Sequence, residues 1–317
     1  MHLHNLSRRG ALALGAGLLA SCAQSVSGRL RIGYQRYGLL LVAKTRGELE
    51  KRLAAKGVDK LEWTEFPSGP PLLEAMNAGA IDFGVTGDAP PIFAQSAGAR
   101  LDYVAVQPLK GAGEAILVRA ASTLRAVQDL KGRSIGYTKG SSGHMFVVQA
   151  LQQAGLSLSD VKSVYLAPAE AVTAFAHGDI DAWAVWDPFF AIAERDQHAR
   201  VLISRASTPA SGDVLLASKD LVATRPNVVR AVLNLLRLDA AWANENPEQA
   251  ARIISASSGL PLEIVLTSLR REPIALHPVT DADISAQQDR ADIFARLGLI
   301  PRRIDVGQVV WRGWTGA

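Results

Sequence analysis

The chain alternates between two kinds of hydrophobic spacing. Leu30-Arg31-Ile32-Gly33-Tyr34 alternates apolar and polar positions and predicts a strand. From Leu39 to Val42 the pattern runs on into a charged amphipathic stretch, with Leu49 and Leu53 inward and Glu48, Glu50, Lys51 and Arg52 outward, which predicts a helix ending at Gly57. Leu61 to Phe66 alternates as a second strand, Pro67-Ser68-Gly69-Pro70-Pro71 is a turn, and Leu72, Leu73 and Met76 mark the next helix. Ile81, Phe83 and Val85 form a third strand that runs through Thr86-Gly87 into Asp88-Ala89-Pro90-Pro91, a helix start. This rhythm implies parallel pairing with right-handed crossovers and a ligand crevice beyond the carboxyl ends of the strands, where Gln35 and Thr86-Gly87-Asp88 fall.

The pattern repeats. Ile32-Gly33-Tyr34 recurs as Ile135-Gly136-Tyr137, and Gly79-Ala80-Ile81-Asp82 recurs as Gly178-Asp179-Ile180-Asp181, in the same order and about a hundred residues on. Two lobes of similar build are expected. Thr138 to His144 is a second strand-to-helix turn, with Ser141 and Ser142 at the helix start; Ser141 can be a plain N-cap, or the turn can hold an anion together with its counterpart at Thr86-Gly87-Asp88. Ala182 to Pro188 closes a strand on Trp186-Asp187, at the same mouth. Gly111 to Val118 reads as the first crossing between lobes, and Val214 to Ala217, preceded by Ser211-Gly212-Asp213, as the return. The expected boundaries are 1–28 for a targeting segment and linker, 29–115 and 217–317 for lobe I with the C-terminal helices, and 116–216 for lobe II. Helices are expected over 227–243, 260–269 and 284–297.

Composition narrows the function. Arg8 and Arg9 precede an apolar run too short to span a bilayer, the form of an export signal through either the general or the twin-arginine route. Leu19-Ala20-Ser21-Cys22 resembles a lipobox, with Cys22 as the lipidated residue; cleavage after Ser21-Cys22-Ala23 is the alternative. Cys22 is the single cysteine, so the folded part has no disulfide and relies on packed cores. Loss of the two arginines lowers the formal charge of +4 to about +2, too small an excess to suggest a nucleic-acid partner. Asp82-Phe83-Gly84 lacks the other kinase motifs, Ser141, Ser142 and His144 lack a nucleophile elbow, and the histidines lack ligand spacing. Asp179 and Asp181, inside the repeated unit, suit a structural turn better than an acid pair. An enzyme is not expected, nor is any cofactor or metal.

Ile32-Gly33-Tyr34-Gln35, Trp63 to Pro67, Asp82 to Gly87, Pro90 to Gln95, Val185 to Pro188 and Ile304-Asp305-Val306 together resemble the aliphatic sulfonate-binding proteins of bacterial ABC importers. Taurine- and nitrate-binding relatives share that fold. The resemblance implies an α/β, two-lobed type II periplasmic-binding fold, each lobe a mainly parallel sheet flanked by helices and the two joined by a two-strand hinge. It implies a monomer in the periplasm that passes a small anionic ligand, an alkanesulfonate, to a membrane permease, with the membrane otherwise touched only through a lipid anchor. Gln35, Thr86-Gly87-Asp88, Ser141-Ser142 and Trp186 carry over as ligand-binding residues, with Asp187 and Gly212 beside them. A sulfonate has three acceptor oxygens, so two opposed helix starts can hold it without a buried counter-charge. Asp88 is expected to turn back as a cap or to meet a ligand amine, Trp186 and Tyr34 to cover the alkyl tail, and Arg237 to supply an extra cation.

Overall fold

A computed structural model describes residues 28–208 and 211–316 of the chain. The strands β1 (Arg29–Tyr34), β2 (Lys60–Glu65), β3 (Phe83–Thr86) and β4 (Leu101–Leu109) lie in one sheet; β5 (Glu114–Val118), β6 (Ser134–Tyr137), β7 (Lys162–Tyr165), β8 (Ala182–Trp186) and β9 (Arg200–Ser204) lie in another. β10 (Ser211–Ser218) returns to the first, giving the orders β2-β1-β3-β10-β4 and β7-β6-β8-β5-β9. The first sheet therefore regains the chain before residue 216, and the second begins before residue 116, so both crossings fall a few residues ahead of the expected boundaries.

Each sheet is mainly parallel, as expected, with four of its five strands running the same way and one reversed. β1 pairs parallel with β2 and β3, and β6 with β7 and β8, as the crossover rhythm requires. The strands next to the crossings run the other way: β10 is antiparallel to β3 and β4, and β5 to β8 and β9. A strand that arrives directly from the other sheet needs no crossover helix, which frees it to pair antiparallel.

The tetrapeptide repeat has a physical cause. Ile81 packs over Gly33, where a Cβ would lie 2.5 Å from Ile81 Cδ1, and Ile180 packs over Gly136, where the same gap is 2.4 Å. The aspartate that follows each isoleucine staples the neighbouring strand: Arg31 N donates to Asp82 at 2.9 Å, and Ser134 N to Asp181 at 2.8 Å. The Gly-x-Ile-Asp unit is thus a lid on its own Ile-Gly-Tyr strand, built twice, and Asp181 has the structural role expected of it.

Helices α1 (Leu39–Arg46), α2 (Glu48–Leu53), α3 (Gly69–Asn77) and α4 (Ala89–Ser96) connect the first sheet; α5 (Ser142–Gln153), α6 (Pro168–His177) and α7 (Phe189–Gln197) connect the second. The expected single helix up to Gly57 is broken by Gly47, whose φ of 66° is left-handed and stops α1. After β10 come α8 (Lys219–Thr224), α9 (Pro226–Glu245), α10 (Pro247–Ser258), α11 (Leu262–Arg271) and α12 (Asp281–Arg296). Alternate residues of each strand feed opposite cores: Leu215 and Ala217 pack with α1 and α9, whereas Val214 and Leu216 pack with α3, α4 and α12. Ile116 and Val118 divide from Ala115 and Leu117 in the same way in the second sheet. Among the described residues no helix is long and apolar enough to cross a membrane. Cys22 and the expected targeting segment up to residue 27 lie outside the described residues.

Candidate functional site

β3 ends at Thr86, and Gly87-Asp88 lead into α4; β6 ends at Tyr137, and Thr138 to Ser141 lead into α5. The two helix starts meet face to face. A Cβ on Gly87 would lie 2.9 Å from Ser142 Cβ, so only glycine lets the first turn approach the second so closely. Behind this contact Phe93 stacks on His144 with ring centroids 6.0 Å apart, and Met145 and Val148 of α5 join the core beneath α3 and α4. His144 is a core residue: its Nδ1 accepts from Gly140 N at 3.2 Å, and burial holds its pKa down to about 4.

A cavity of about 300 Å³ opens at this meeting point. Gln35, Gly87, Ser141, Ser142, Trp186 and Asp187 line it, as the sequence led one to expect. Ser141 also caps α5, its Oγ accepting from His144 N at 3.4 Å and donating to Thr138 O at 2.7 Å. Gln35 Nε2 donates to Val85 O at 3.4 Å, which holds its side chain along the end of β3. Thr86 is fully buried, its hydroxyl donating to Gly87 O at 3.0 Å, so it shapes the turn rather than the cavity wall. Phe66, Pro67, Pro90 and Phe189 supply apolar wall beside Trp186.

Besides Thr86, four expectations are corrected. Asp88 neither caps α4 nor reaches the cavity: it is 2 % exposed, and its Oδ2 takes Arg205 Nη2 at 2.7 Å and Arg290 Nε at 3.0 Å. Its negative charge is thereby paired with two guanidiniums away from the cavity wall. Tyr34 does not line the cavity; its hydroxyl receives Lys44 Nζ at 2.7 Å and its ring stands edge-on to Trp63. Gly212 sits outside the lining too, because it backs onto Gln107, whose carbonyl oxygen would lie 2.9 Å from an added Cβ. Arg237, on α9, is also absent from the cavity wall.

Sequence reasoning missed a polar shell. Arg205, 2 % exposed, lies in a 3-10 turn after β9, where it reaches Glu114 at 3.7 Å and donates to Ser142 O at 3.4 Å in addition to its bond with Asp88. Nothing in a lone arginine after an unremarkable strand signals this, since every partner comes from elsewhere in the chain. Glu272, just past α11, accepts from Lys110 N at 2.7 Å and Gly113 N at 3.0 Å, fastening the C-terminal helices to the first crossing. Arg271 ties the same helix end to Asp187, at 3.1 Å, and to Glu194 on α7. Burial pushes Asp187 up to about 6 despite Arg271. Tyr37, three residues beyond the end of β1, lines the cavity with a buried hydroxyl that meets no hydrogen-bond partner among the described residues, and burial pushes its pKa well up. That hydroxyl is a donor in reserve.

The arrangement offers backbone N–H groups at two helix starts, the hydroxyls of Ser141, Ser142 and Tyr37, and the Gln35 amide around one small space. Such a set receives an anion with several acceptor oxygens. Fold and cavity together define a two-lobed α/β ligand-binding protein of the periplasmic-binding kind.

Comparison with known proteins sharpens the class. A family model described as NMT1/THI5 like matches residues 62–250. The aliphatic sulfonates-binding protein of Escherichia coli (strain K12) is 38% identical over 301 residues, covering 94% of this chain and 93% of its own. The alkanesulfonate-binding protein SsuA from Xanthomonas axonopodis pv. citri, solved bound to MOPS, superposes with a TM-score of 0.86 at 39% identity, over 90% of this chain and 98% of that one. The periplasmic aliphatic sulphonate binding protein SsuA from Escherichia coli superposes with a TM-score of 0.82 at 39% identity, over 90% and 92%. The chain belongs to the NMT1/THI5-like family.

Proposed function

We propose that this protein is the substrate-binding component of an ABC importer, that it holds an aliphatic sulfonate between its two lobes, and that it delivers the ligand to a membrane permease. The observation that carries this reading is the meeting of Gly87 with Ser141-Ser142 in one cavity, two helix starts from different sheets aimed at the same space. A sulfonate there takes charge-assisted hydrogen bonds from both lobes, so it stabilises the closed arrangement over an open one. The two connections between the sheets serve as the hinge. Trp186 and Phe189 cover the alkyl tail, each buried methylene being worth about 0.8 kcal/mol. The protein acts as a monomer in the periplasm, brought there by its N-terminal segment and held, if Cys22 is lipidated, by a single anchor.

Isothermal titration across ethanesulfonate, octanesulfonate, taurine, sulfate and nitrate, with mass spectrometry of the recovered ligand, tests the reading. Tight binding of the sulfonates with the ligand recovered intact supports it; turnover of the ligand, or preference for nitrate, overturns it. Trp186→Ala is expected to weaken octanesulfonate more than ethanesulfonate.

A further inference from the structure

The anion end of the cavity holds acids as well as donors. Asp213, on β10, lines the cavity and lies in register with Gln107 of β4, and its Oδ1 is 3.8 Å from where a Cβ on Gly87 would be. That same Gly87 position is 3.2 Å from Ser142 Oγ, so the carboxyl stands beside the two helix starts rather than along the tail wall. The Asp213 side chain makes no hydrogen bond or ion pair among the described residues. Glu114, on β5, is its neighbour at this end; its Oε1 is buried without a hydrogen-bond partner, 3.7 Å from where a Cβ on Gly143 would be.

The charged groups that share the cavity wall with Asp213 include the acids Glu114 on β5 and Glu272 after α11 and the cations Arg36 and Arg205, with the buried Asp88 behind the wall; β4 opposes Asp213 with neutral Gln107. The nearby cations, Arg205 and Arg290, are engaged with Asp88, and Arg205 also with Glu114. An ionised carboxylate here would repel any anion held by Gly87 and Ser142, at a distance where the repulsion is only weakly screened. A neutral carboxylic acid would instead add one O–H donor to the set.

We propose that Asp213 binds the ligand's anionic group as a neutral acid and hydrogen-bond donor, so that in alkaline solution, where the free carboxyl is ionised, each sulfonate captured is accompanied by a proton from solvent. This rests on the sulfonate reading above. The environment favours the neutral form: burial first, then repulsion from Asp88, Glu114 and Glu272, pushes the Asp213 carboxyl up to about 8. Burial, partly offset by Arg205, pushes Glu114 up to about 7. Ligand affinity is then full below these values and declines as pH rises through them, by up to about tenfold per pH unit for one linked proton.

Ethanesulfonate, which stays ionised throughout, is the probe. Titration at pH 9 in buffers of different ionisation heat is expected to show uptake approaching one proton per ligand, and affinity is expected to fall about tenfold from pH 8.5 to pH 9.5. Asp213→Asn, whose amide donates at every pH, is expected to remove the steep part of this fall and to bind ethanesulfonate about tenfold more tightly than the wild type at pH 9.5. A flat wild-type profile with no proton uptake overturns the proposal, as does an Asp213→Asn profile as steep as the wild type. A gain in taurine affinity as Asp213 ionises also overturns it, because the carboxylate would then be receiving the ligand's amine. Absence of ethanesulfonate binding even at pH 6 would instead sink the sulfonate reading itself.

Discussion

The helix starts at α4 and α5 share a strand-turn-helix plan, yet they are completed in different ways. α5 is finished by its own turn: Ser141 caps it, and His144 Nδ1 receives Gly140 N. α4 has no side-chain cap, and the acid at its entrance is spent on Arg205 from the far end of the second sheet and on Arg290 from α12. Gln287, also on α12, donates to Asp88 O at 2.5 Å. One lobe therefore brings a turn completed by its own residues, whereas the other has a turn whose acid and carbonyl are held by Arg205 of the other lobe and by Arg290 and Gln287 of α12. In this half the acid at the helix entrance is shared between a cation of its own lobe and one of the other.

The largest test of that contrast is Asp88→Ala. It leaves two buried guanidiniums facing each other without the acid between them, and breaking a buried pair in this way costs about 3–5 kcal/mol. Urea unfolding of the ligand-free protein reads the loss. A cost no greater than that of an ordinary helix cap would mean that α4 is as self-contained as α5, and the contrast would fail.

A middle-sized effect separates the lobes through their repeated glycines. Gly136→Ala meets Ile180 first, at the far end of a flexible side chain, and should cost about 1–2 kcal/mol through local overpacking. Ile180→Val deletes the offending Cδ1 and is expected to recover most of that loss. Gly33→Ala meets Ile81 Cδ1 at 2.5 Å and, in addition, Leu72 and Phe66 at 3.1 Å each, so it should cost more, and Ile81→Val should recover less. Equal recovery in the two double variants would show that the lobes are packed alike at this point.

These contrasts also explain what was legible beforehand. The repeat could be read because it is local: an isoleucine over a glycine and an aspartate on a strand backbone leave tetrapeptides that recur in order. Strands β7 and β9 went unread because they are the edges of the second sheet, half-buried, with Lys162 and Arg200 among their residues and too little apolar alternation to stand out. Six of the expected ligand-binding residues line the cavity because strand ends and helix starts are predictable from local pattern. The charged shell was invisible for the opposite reason: Asp88, Glu114, Arg205, Glu272 and Arg290 are scattered through the sequence, and only tertiary packing brings them together. Tyr34 was misassigned because its neighbour in space, Lys44, is one helix away in sequence and captures its hydroxyl.

The smallest effect tests the self-sufficient turn. Ser141→Ala removes a long cap bond, 3.4 Å to His144 N, and a shorter one to Thr138 O, and should lower the stability of the free protein by about 1 kcal/mol, as the loss of an N-cap does. Because Ser141 belongs to a helix start, which in the proposed binding mode holds the sulfonate and not its tail, the affinities for ethanesulfonate and octanesulfonate should fall by the same factor. A larger loss for the longer ligand would show that the helix start also positions the tail wall. The two ends of the cavity would then be coupled through α5, and the anion turn could no longer be treated as a unit complete in itself.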